Sequence, residues 1–336
     1  MMQSIKPMRH ILCATDLNSR SKVALDRAAS LAQQSGATLI VLHVVRAGQS
    51  MQVARMQANR AYARLLSETE RAVGPANSFK VLVRVGDARD VIAKTASEFD
   101  VDVVVVAAPK SRRLESVVGT TAERLVRGTK RPVLIARHPV GEGYGDATVA
   151  ADLSDSTAPL IRKAVRIGGL ERAGMTVVHA VHPAHGKILR SAGLDDSSIR
   201  EFQHGVVEDA RERLIRMVVE AGRSLAATRI TIRNESAATA IRNALEYGRP
   251  QLLVIGASRW FLMKRLLIGS VADGVLRSAA CDVLVIPTRE AVLNVEASDV
   301  LAAACVTGIL ASPRSVAVER GLHQQDRSDR RARAHE

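Results

Sequence analysis

Aromatic residues make up only 2% of this 336-residue chain, which contains one Trp, three Tyr and four Phe. Proteins that hold single-stranded nucleic acid stack the bases on aromatic side chains. The scarcity therefore argues against a nucleic-acid partner, although the net charge is +14. Because no recognition helix, zinc finger or basic heptad accompanies the charge, we interpret it as an arginine-rich solvated surface.

Cysteine is also scarce, and long apolar runs are missing. Cys13, Cys281 and Cys305 are too few and too widely spaced for a disulfide framework or a paired-cysteine metal site. Cys13 and Cys281 lie in or beside apolar runs, so we expect them to be buried. No secretory signal and no run long enough to cross a bilayer is visible, so we expect a cytoplasmic protein without a membrane partner.

What the chain does contain is an internal repeat. The segment "ATDLNSRSKVALDRAASLAQQSGATLIVLHVV" (14–45) matches "AADLSDSTAPLIRKAVRIGGLERAGMTVVHAV" (150–181), which aligns Asp16 with Asp152 and His43 with His179. Later, "GTTAERLVRGTKRPVLIAR" (119–137) matches "GSVADGVLRSAACDVLVIP" (269–287), and the second copy carries extra residues in its middle. We therefore predict two homologous domains, 1–140 and 141–288.

Each copy alternates uniformly apolar runs with segments of helical periodicity. The first reads "HILCATD", a helix closed by Gly36, "ATLIVLHVV", a long helix closed by Gly74-Pro75, "FKVLVRV", a helix, "VDVVVVAA", a helix and "RPVLIAR". Uniformly apolar strands that alternate with helices are typical of a parallel sheet covered on both faces. This pattern predicts an α/β fold with two doubly wound five-stranded parallel sheets, which bind ligands beyond the carboxyl ends of the strands.

The residues at these positions resemble the universal stress protein family in its tandem two-domain form. The resemblance rests on "ATD" and "AAD" after the first strands, "LHVV" and "VHAV" on the second, and "GTTAERLVR" and "GSVADGVLR" before the last. It covers residues 8–138 and 146–287. It implies an adenine nucleotide alpha hydrolase-like fold for each copy, and a pseudo-dimer in which the last strands meet across a pseudo-two-fold axis. The implied role is a stress-response binding or regulatory module.

The second copy is similar to the nucleotide-binding members of that family. These members have Gly-x-x-Gly, nine residues, then Gly-Ser or Gly-Thr, so that backbone amides and a helix N-terminus surround phosphate. Their Asp after the first strand, and the backbone of their second strand, hold the adenosine. The resemblance implies ATP or another adenine nucleotide at Ala150, Asp152, Ala180, Gly256, Arg259, Gly269, Ser270 and Val271.

Arg259 departs from the family pattern, because it replaces the second glycine. Its side chain can block the approach of backbone to phosphate, or its guanidinium can pair with phosphate. A third reading has Arg259 in solvent while the adjacent "WFLM", which holds the single Trp260, packs on a protein partner. The sequence leaves these three readings open.

The first copy fits the family's nucleotide pattern less well. It keeps Asp16, Val44, Gly119 and Thr120, but Ala107 stands at the first glycine, Pro109 removes a donor, and the loop is one residue shorter. We interpret this copy as a degenerate site.

The sequence gives little indication of a metal site or of a catalytic site. His179, His182 and His185 are close in sequence, but His179 repeats His43 and is explained by the fold, so we predict no metal. No nucleophile elbow, paired-carboxylate cleft or P-loop is present, so we predict no enzyme, with slow nucleotide hydrolysis left open.

Residues 289–336 belong to neither repeat. We expect a C-terminal extension that is partly disordered, with one further helix in its apolar part. A homodimer and an unknown protein partner are left open. The main alternative is a ligand-free interaction protein in which both nucleotide sites are vestigial.

Overall fold

A computed structural model describes residues 7–48, 50–74, 77–108, 121–139, 141, 143–181, 189–191, 193–258 and 279–288. The predicted extension 289–336 lies outside this range. So do the stretches that contain Gly119 and Thr120 in the first repeat, and Arg259, Gly269, Ser270 and Val271 in the second.

The strands of both repeats join in one ten-stranded sheet. Its order is β3-β2-β1-β4-β5-β10-β9-β6-β7-β8. Every neighbouring pair is parallel except β5 and β10, which run antiparallel where the repeats meet. The strands are β1 (His10–Thr15), β2 (Thr38–Arg46), β3 (Phe79–Gly86), β4 (Val103–Ala107), β5 (Val133–Ala136), β6 (Asp146–Ala150), β7 (Gly174–Ala180), β8 (Thr228–Arg233), β9 (Leu252–Ser258) and β10 (Asp282–Thr288).

The helices of the described residues alternate with these strands as the periodicity predicts. They are α1 (Ser19–Ser35), α2 (Met51–Val73), α3 (Ala88–Glu98), α4 (Thr121–Gly128), α5 (Thr157–Gly168), α6 (Asp196–Glu220) and α7 (Ala237–Gly248), with a short 3-10 turn at Leu225–Ala227. Polar side chains begin several of them: Asn18, Ser50, Asp87 and Ser236 each accept a bond from a first-turn amide. Gly36 closes α1 in the left-handed conformation with φ 70°.

Alternate side chains of the strands enter two apolar layers, one on each face of the sheet. One layer packs Ile11, Cys13 and their equivalents against α1, α2, α5 and α6. The other packs Leu12, Leu42 and their equivalents against α3, α4 and α7. Both layers continue across the two repeats, and Cys13 and Cys281 are buried as expected. The α/β class, the doubly wound sheets and the pseudo-dimer are therefore confirmed.

Strand register shows where the second repeat carries its extra residues. Equivalent residues of β2 and β7, such as Val41 and Val177, differ by 136 positions. Equivalent residues of β3 and β8, such as Val81 and Ile230, differ by 149. The insertion therefore falls between β7 and β8. In the described part of this stretch, Leu189, Ile199 and Phe202 form a small apolar cluster of their own.

Candidate functional site

The candidate sites lie in the turns that follow β1 and β6, at the carboxyl ends of the strands. In each turn the residue after the aspartate is a leucine with a left-handed backbone, Leu17 and Leu153, both at φ 61°. This conformation costs a non-glycine residue about 1–2 kcal/mol. Because both repeats keep it at the same position, the turn itself is a shared feature of the site.

Asp16 is fully engaged by its own turn. Its Oδ1 atom accepts hydrogen bonds from the Asn18 amide at 3.2 Å and from the Ser21 hydroxyl. Its Oδ2 atom accepts one from the Asn18 side-chain amide at 2.5 Å. Asn18 also caps α1 through its side-chain oxygen. Both carboxylate oxygens of the first repeat are thus occupied by the protein.

Asp152 occupies the equivalent position, but its two oxygens are used unequally. Oδ1 accepts bonds from the Ser154 amide at 3.1 Å, the Ser154 hydroxyl at 2.7 Å and the Thr157 hydroxyl at 3.1 Å. Ser154 stands where the first repeat has Asn18, and both its amide and its hydroxyl donate to Oδ1 rather than to Oδ2. Among the described residues no group donates to Oδ2 of Asp152, and the residue is exposed. The second repeat therefore presents a carboxylate oxygen to solvent at its strand edge.

The repeated histidines hold these turns in place. Nδ1 of His43 lies 2.9 Å from the Thr15 carbonyl oxygen, and Nδ1 of His179 lies 2.9 Å from the Ala151 carbonyl oxygen. Each ring therefore ties the second strand of its repeat to the residue before the aspartate. This contact explains why the two histidines recur, as the repeat predicts. Among the described residues no group of three potential ligands could hold a metal ion.

His179 makes the second repeat sensitive to acid. Burial lowers the pKa of His179 below its ordinary value of 6.5, although the bond to the Ala151 carbonyl opposes this. The unfolded histidine takes up a proton near pH 6.5 while the folded one resists, so stability is lost as the pH falls through that range. We expect the variant His179→Asn, whose amide can still donate to Ala151, to show a shallower loss between pH 7.5 and 5. Urea unfolding at several pH values tests this, and an unchanged slope would contradict it.

An apolar cavity of about 150 Å³ adjoins Asp16 in the first repeat. Its walls come from three strand ends and the start of α3, and its polar rim is formed by Thr15, Asp16 and Ser21. The apolar walls are Ala14, Leu42, Val44, Ala88, Ile92, Val106, Ala107 and Ala122. The cavity has the position predicted for an α/β ligand site, at the crevice beyond the strand ends.

Strand register identifies the residues of the second repeat that correspond to the cavity walls of the first. Ala14 lies beside Leu42 and Val106, whereas Ala150 lies beside Val178 and Ile255. Two positions further along β2 and β7, Val44 of the first repeat corresponds to Ala180. The second crevice therefore has smaller side chains at two of its β7 positions and a larger one on β9.

Gly256 lies inside β9, where its partner on β10 is Ile286. Register equates it with Ala107, as the sequence alignment requires. A Cβ atom on Gly256 would meet Cγ2 of Thr288 at 3.2 Å and Leu160 at 3.7 Å. Packing therefore favours glycine at this position independently of any phosphate.

One cation at the second site was missed by sequence reasoning. Arg213 on α6 donates from Nη2 to the Leu153 carbonyl oxygen at 3.1 Å, which places its guanidinium beside the Asp152 turn. Arg64 on α2 is its equivalent, since Leu65 and Leu214 are both fully buried and also 149 positions apart. Arg64 pairs instead with Glu68 at 2.8 Å. Only a known helix register could have revealed this cation from the sequence.

The fold defines a tandem α/β protein, with the same strand-end turn in each repeat and an apolar cavity beside the turn of the first. Comparison with known proteins then identifies it, because the universal stress protein family model matches residues 7–137 and 143–287. The chain belongs to the universal stress protein family, with two copies of the domain.

Two relatives illustrate the similarity. The chain is 32% identical over 128 residues to universal stress protein G of Salmonella typhimurium, which covers 35% of this chain and 89% of that protein. The crystal structure of a universal stress protein from Archaeoglobus fulgidus superposes with a TM-score of 0.61 at 18% identity, over 83% of this chain and 98% of that one. The latter similarity is one of fold, and it spans both repeats.

Within the residues that the structure describes, no helix is both long and apolar enough to span a bilayer.

Proposed function

We propose that the second repeat binds an adenine nucleotide, ATP or a close relative, in the crevice formed by the ends of β6, β7 and β9. In this proposal the protein is a cytoplasmic, stress-linked binding or regulatory module, and the first repeat does not share the ligand.

The observation that carries the proposal is the unequal use of the two aspartates. Oδ2 of Asp16 is occupied by the Asn18 side chain, whereas Oδ2 of Asp152 has no partner among the described residues. A carboxylate oxygen at a strand edge is suited to accept hydrogen bonds from the vicinal hydroxyls of a ribose. Only the second repeat offers this acceptor.

Side-chain size and charge support the same assignment. A cavity adjoins the equivalent turn of the first repeat, and Val178 and Ala180 are smaller than the residues that line it there, Leu42 and Val44. The guanidinium of Arg213 adds a positive charge at the same edge. In sequence, Gly256, Gly269 and Ser270 keep three positions of the family's phosphate motif, and Arg259 stands at the fourth as a cation that can pair with phosphate.

The test transfers the first repeat's residue into the second. Ser154→Asn places an amide where it can occupy Oδ2 of Asp152, as Asn18 does for Asp16. Loss of a hydrogen bond to a charged group costs about 1.5–3 kcal/mol, so we expect ATP affinity to fall about tenfold or more. Isothermal titration of the purified chain, after any co-purified small molecule has been released and identified, measures this change.

The matched control is the reciprocal change in the first repeat. Asn18→Ser should leave ATP affinity unchanged, because the ligand is not bound there. Equal, weak titration signals from the parent chain and from Ser154→Asn would overturn the proposal. A change in ATP affinity that follows Asn18→Ser instead would move the site to the first repeat.

We further propose that the second repeat binds the nucleotide without hydrolysing it efficiently. The carboxylate of Asp152 already takes three hydrogen bonds on Oδ1 from its own turn, so it acts in holding the loop rather than in activating water. Phosphate release in the titration samples should therefore stay close to the rate in buffer. Release that depends on Asp152 would favour the slow-hydrolase alternative.

A further inference from the structure

Among the residues that the structure describes, two ion pairs cross the junction at which β5 meets β10, and each joins the first repeat to the second. Arg27 on α1 pairs with Asp282 on β10, with Nε and Oδ2 2.9 Å apart and only 5% and 1% of the two side chains exposed. Arg166 on α5 pairs with Asp102, just before β4, at 2.9 Å. In the first pair the cation comes from the first repeat, and in the second pair it comes from the second.

The Arg27–Asp282 pair lies within a larger hydrogen-bond network. The Tyr144 hydroxyl donates to Oδ2 of Asp282 at 2.7 Å, and the Arg137 amide donates to Oδ1 at 2.8 Å. The Arg27 guanidinium lies 4.3 Å from the centre of the Tyr144 ring. Such a pair is tolerated in the interior because both oxygens of Asp282 accept hydrogen bonds and the guanidinium has a carboxylate and an aromatic ring beside it.

Neither ion pair has a symmetry mate. Strand register equates Asp282 with Pro132 and Asp102 with Gln251. The 136-position offset equates Arg166 with Ser30. A first repeat placed against another first repeat would therefore bury Arg27 opposite Pro132 and leave Asp102 opposite Ser30. Arg27 would lose its carboxylate, and buried unpaired charge is strongly unfavourable. Asp102 would lose its cation but keep the amides of Arg9 and His10, which donate to Oδ2 from its own repeat.

We infer that these two ion pairs make the β5–β10 junction selective, so that a first repeat accepts a second repeat and rejects another first repeat. Selectivity of this kind needs an element that penalises the wrong partner as well as one that favours the right one. Arg27 does both, because Asp282 neutralises it in the correct pairing and nothing does so in the wrong one. The surface that fits this edge is therefore the second repeat, from the same chain or from another copy.

The pseudo-two-fold symmetry allows this selectivity to be tested directly by disulfide capture. Leu134 and Leu284 are opposed across the junction, flanked by the pairs Ile135–Val283 and Val133–Val285. Because Leu134 and Leu284 are themselves equivalent, a first repeat paired with a first repeat would bring Leu134 against Leu134. A cysteine at position 134 alone therefore captures only the wrong pairing, as a disulfide-linked dimer. Cysteines at both positions capture the correct pairing within one chain.

The experiment refolds full-length variants in a glutathione redox buffer, with the three native cysteines replaced by alanine. Leu134→Cys/Leu284→Cys should give an oxidised monomer, and Leu134→Cys alone should give almost no dimer. Adding Arg27→Met and Asp282→Asn removes the buried charges while keeping the junction filled. We expect this change to raise the disulfide-linked dimer of the Leu134→Cys chain at least about tenfold.

The control uses an ion pair that does not face the junction. Arg64→Met removes one partner of an exposed i, i+4 pair and should leave the dimer fraction unchanged. The inference is overturned if the Leu134→Cys chain already dimerises with its charges intact. It is also overturned if the dimer fraction is the same with and without Arg27 and Asp282. Refolding at two protein concentrations separates capture between chains from capture within one.

Discussion

Replacing Asp282 with alanine should lower the free energy of unfolding by about 3–5 kcal/mol, the range found when one partner of a buried ion pair is removed. The Arg27 guanidinium would remain buried without its counter-charge. The Tyr144 hydroxyl and the Arg137 amide would lose their acceptor at the same time. Guanidinium unfolding of the full chain, followed by circular dichroism, measures the loss.

Two companion variants show whether the loss comes from stranded charge. Arg27→Met combined with Asp282→Ala should recover part of the stability, because no unpaired charge is then buried. Arg64→Ala, which breaks an exposed pair with Glu68, should cost less than about 1 kcal/mol. If Asp282→Ala is as mild as Arg64→Ala, the buried network contributes little to the fold.

Arg223→Met should be the second strongly destabilised variant, with a loss of about 3 kcal/mol. Arg223 follows α6 and is buried, and its Nη1 donates to the carbonyl oxygens of Leu170 at 2.6 Å and Glu171 at 2.9 Å. Nη2 donates to the Ala173 carbonyl oxygen. Methionine fills similar space but leaves these carbonyls of the α5–β7 connection without a donor.

A lysine variant provides the control for Arg223. Arg223→Lys keeps the charge and can satisfy one or two of the carbonyls, so its loss should be smaller than that of Arg223→Met. Urea unfolding of both variants makes the comparison. Equal stability of Arg223→Met and the parent chain would show that water replaces the guanidinium at this connection.

The order of strands and helices was predictable because a local sequence pattern indicates each element. The four-valine core of β4 and the "HILCAT" of β1 are short apolar runs, and Gly36 ends α1 with the left-handed turn that glycine favours. The recurrence of His43 and His179 correctly indicated a role in the fold. These features depend on residues close in sequence or on comparison of the two copies.

Features that depend on distant residues were not predictable from the sequence. Arg27 and Asp282 are 255 positions apart, and the sequence does not show that they meet. Either Asn18 or Ser154 suits a turn before a helix. Only the geometry of the two turns shows that Asn18 occupies the second carboxylate oxygen of its aspartate and that Ser154 does not. The sequence also does not show that Thr288 and Leu160 restrict the Cβ position of Gly256.

The antiparallel pairing of β5 with β10 also decides where the two crevices open. Within each repeat the strands are parallel. The carboxyl ends of all strands of the first repeat therefore lie along one side of the sheet, and those of the second repeat lie along the opposite side. Asp16 and Asp152, which follow the carboxyl ends of β1 and β6, therefore lie on opposite sides of the same sheet. A ligand in one crevice would therefore make no direct contact with a ligand in the other, and any coupling between them would have to act across the β5–β10 junction.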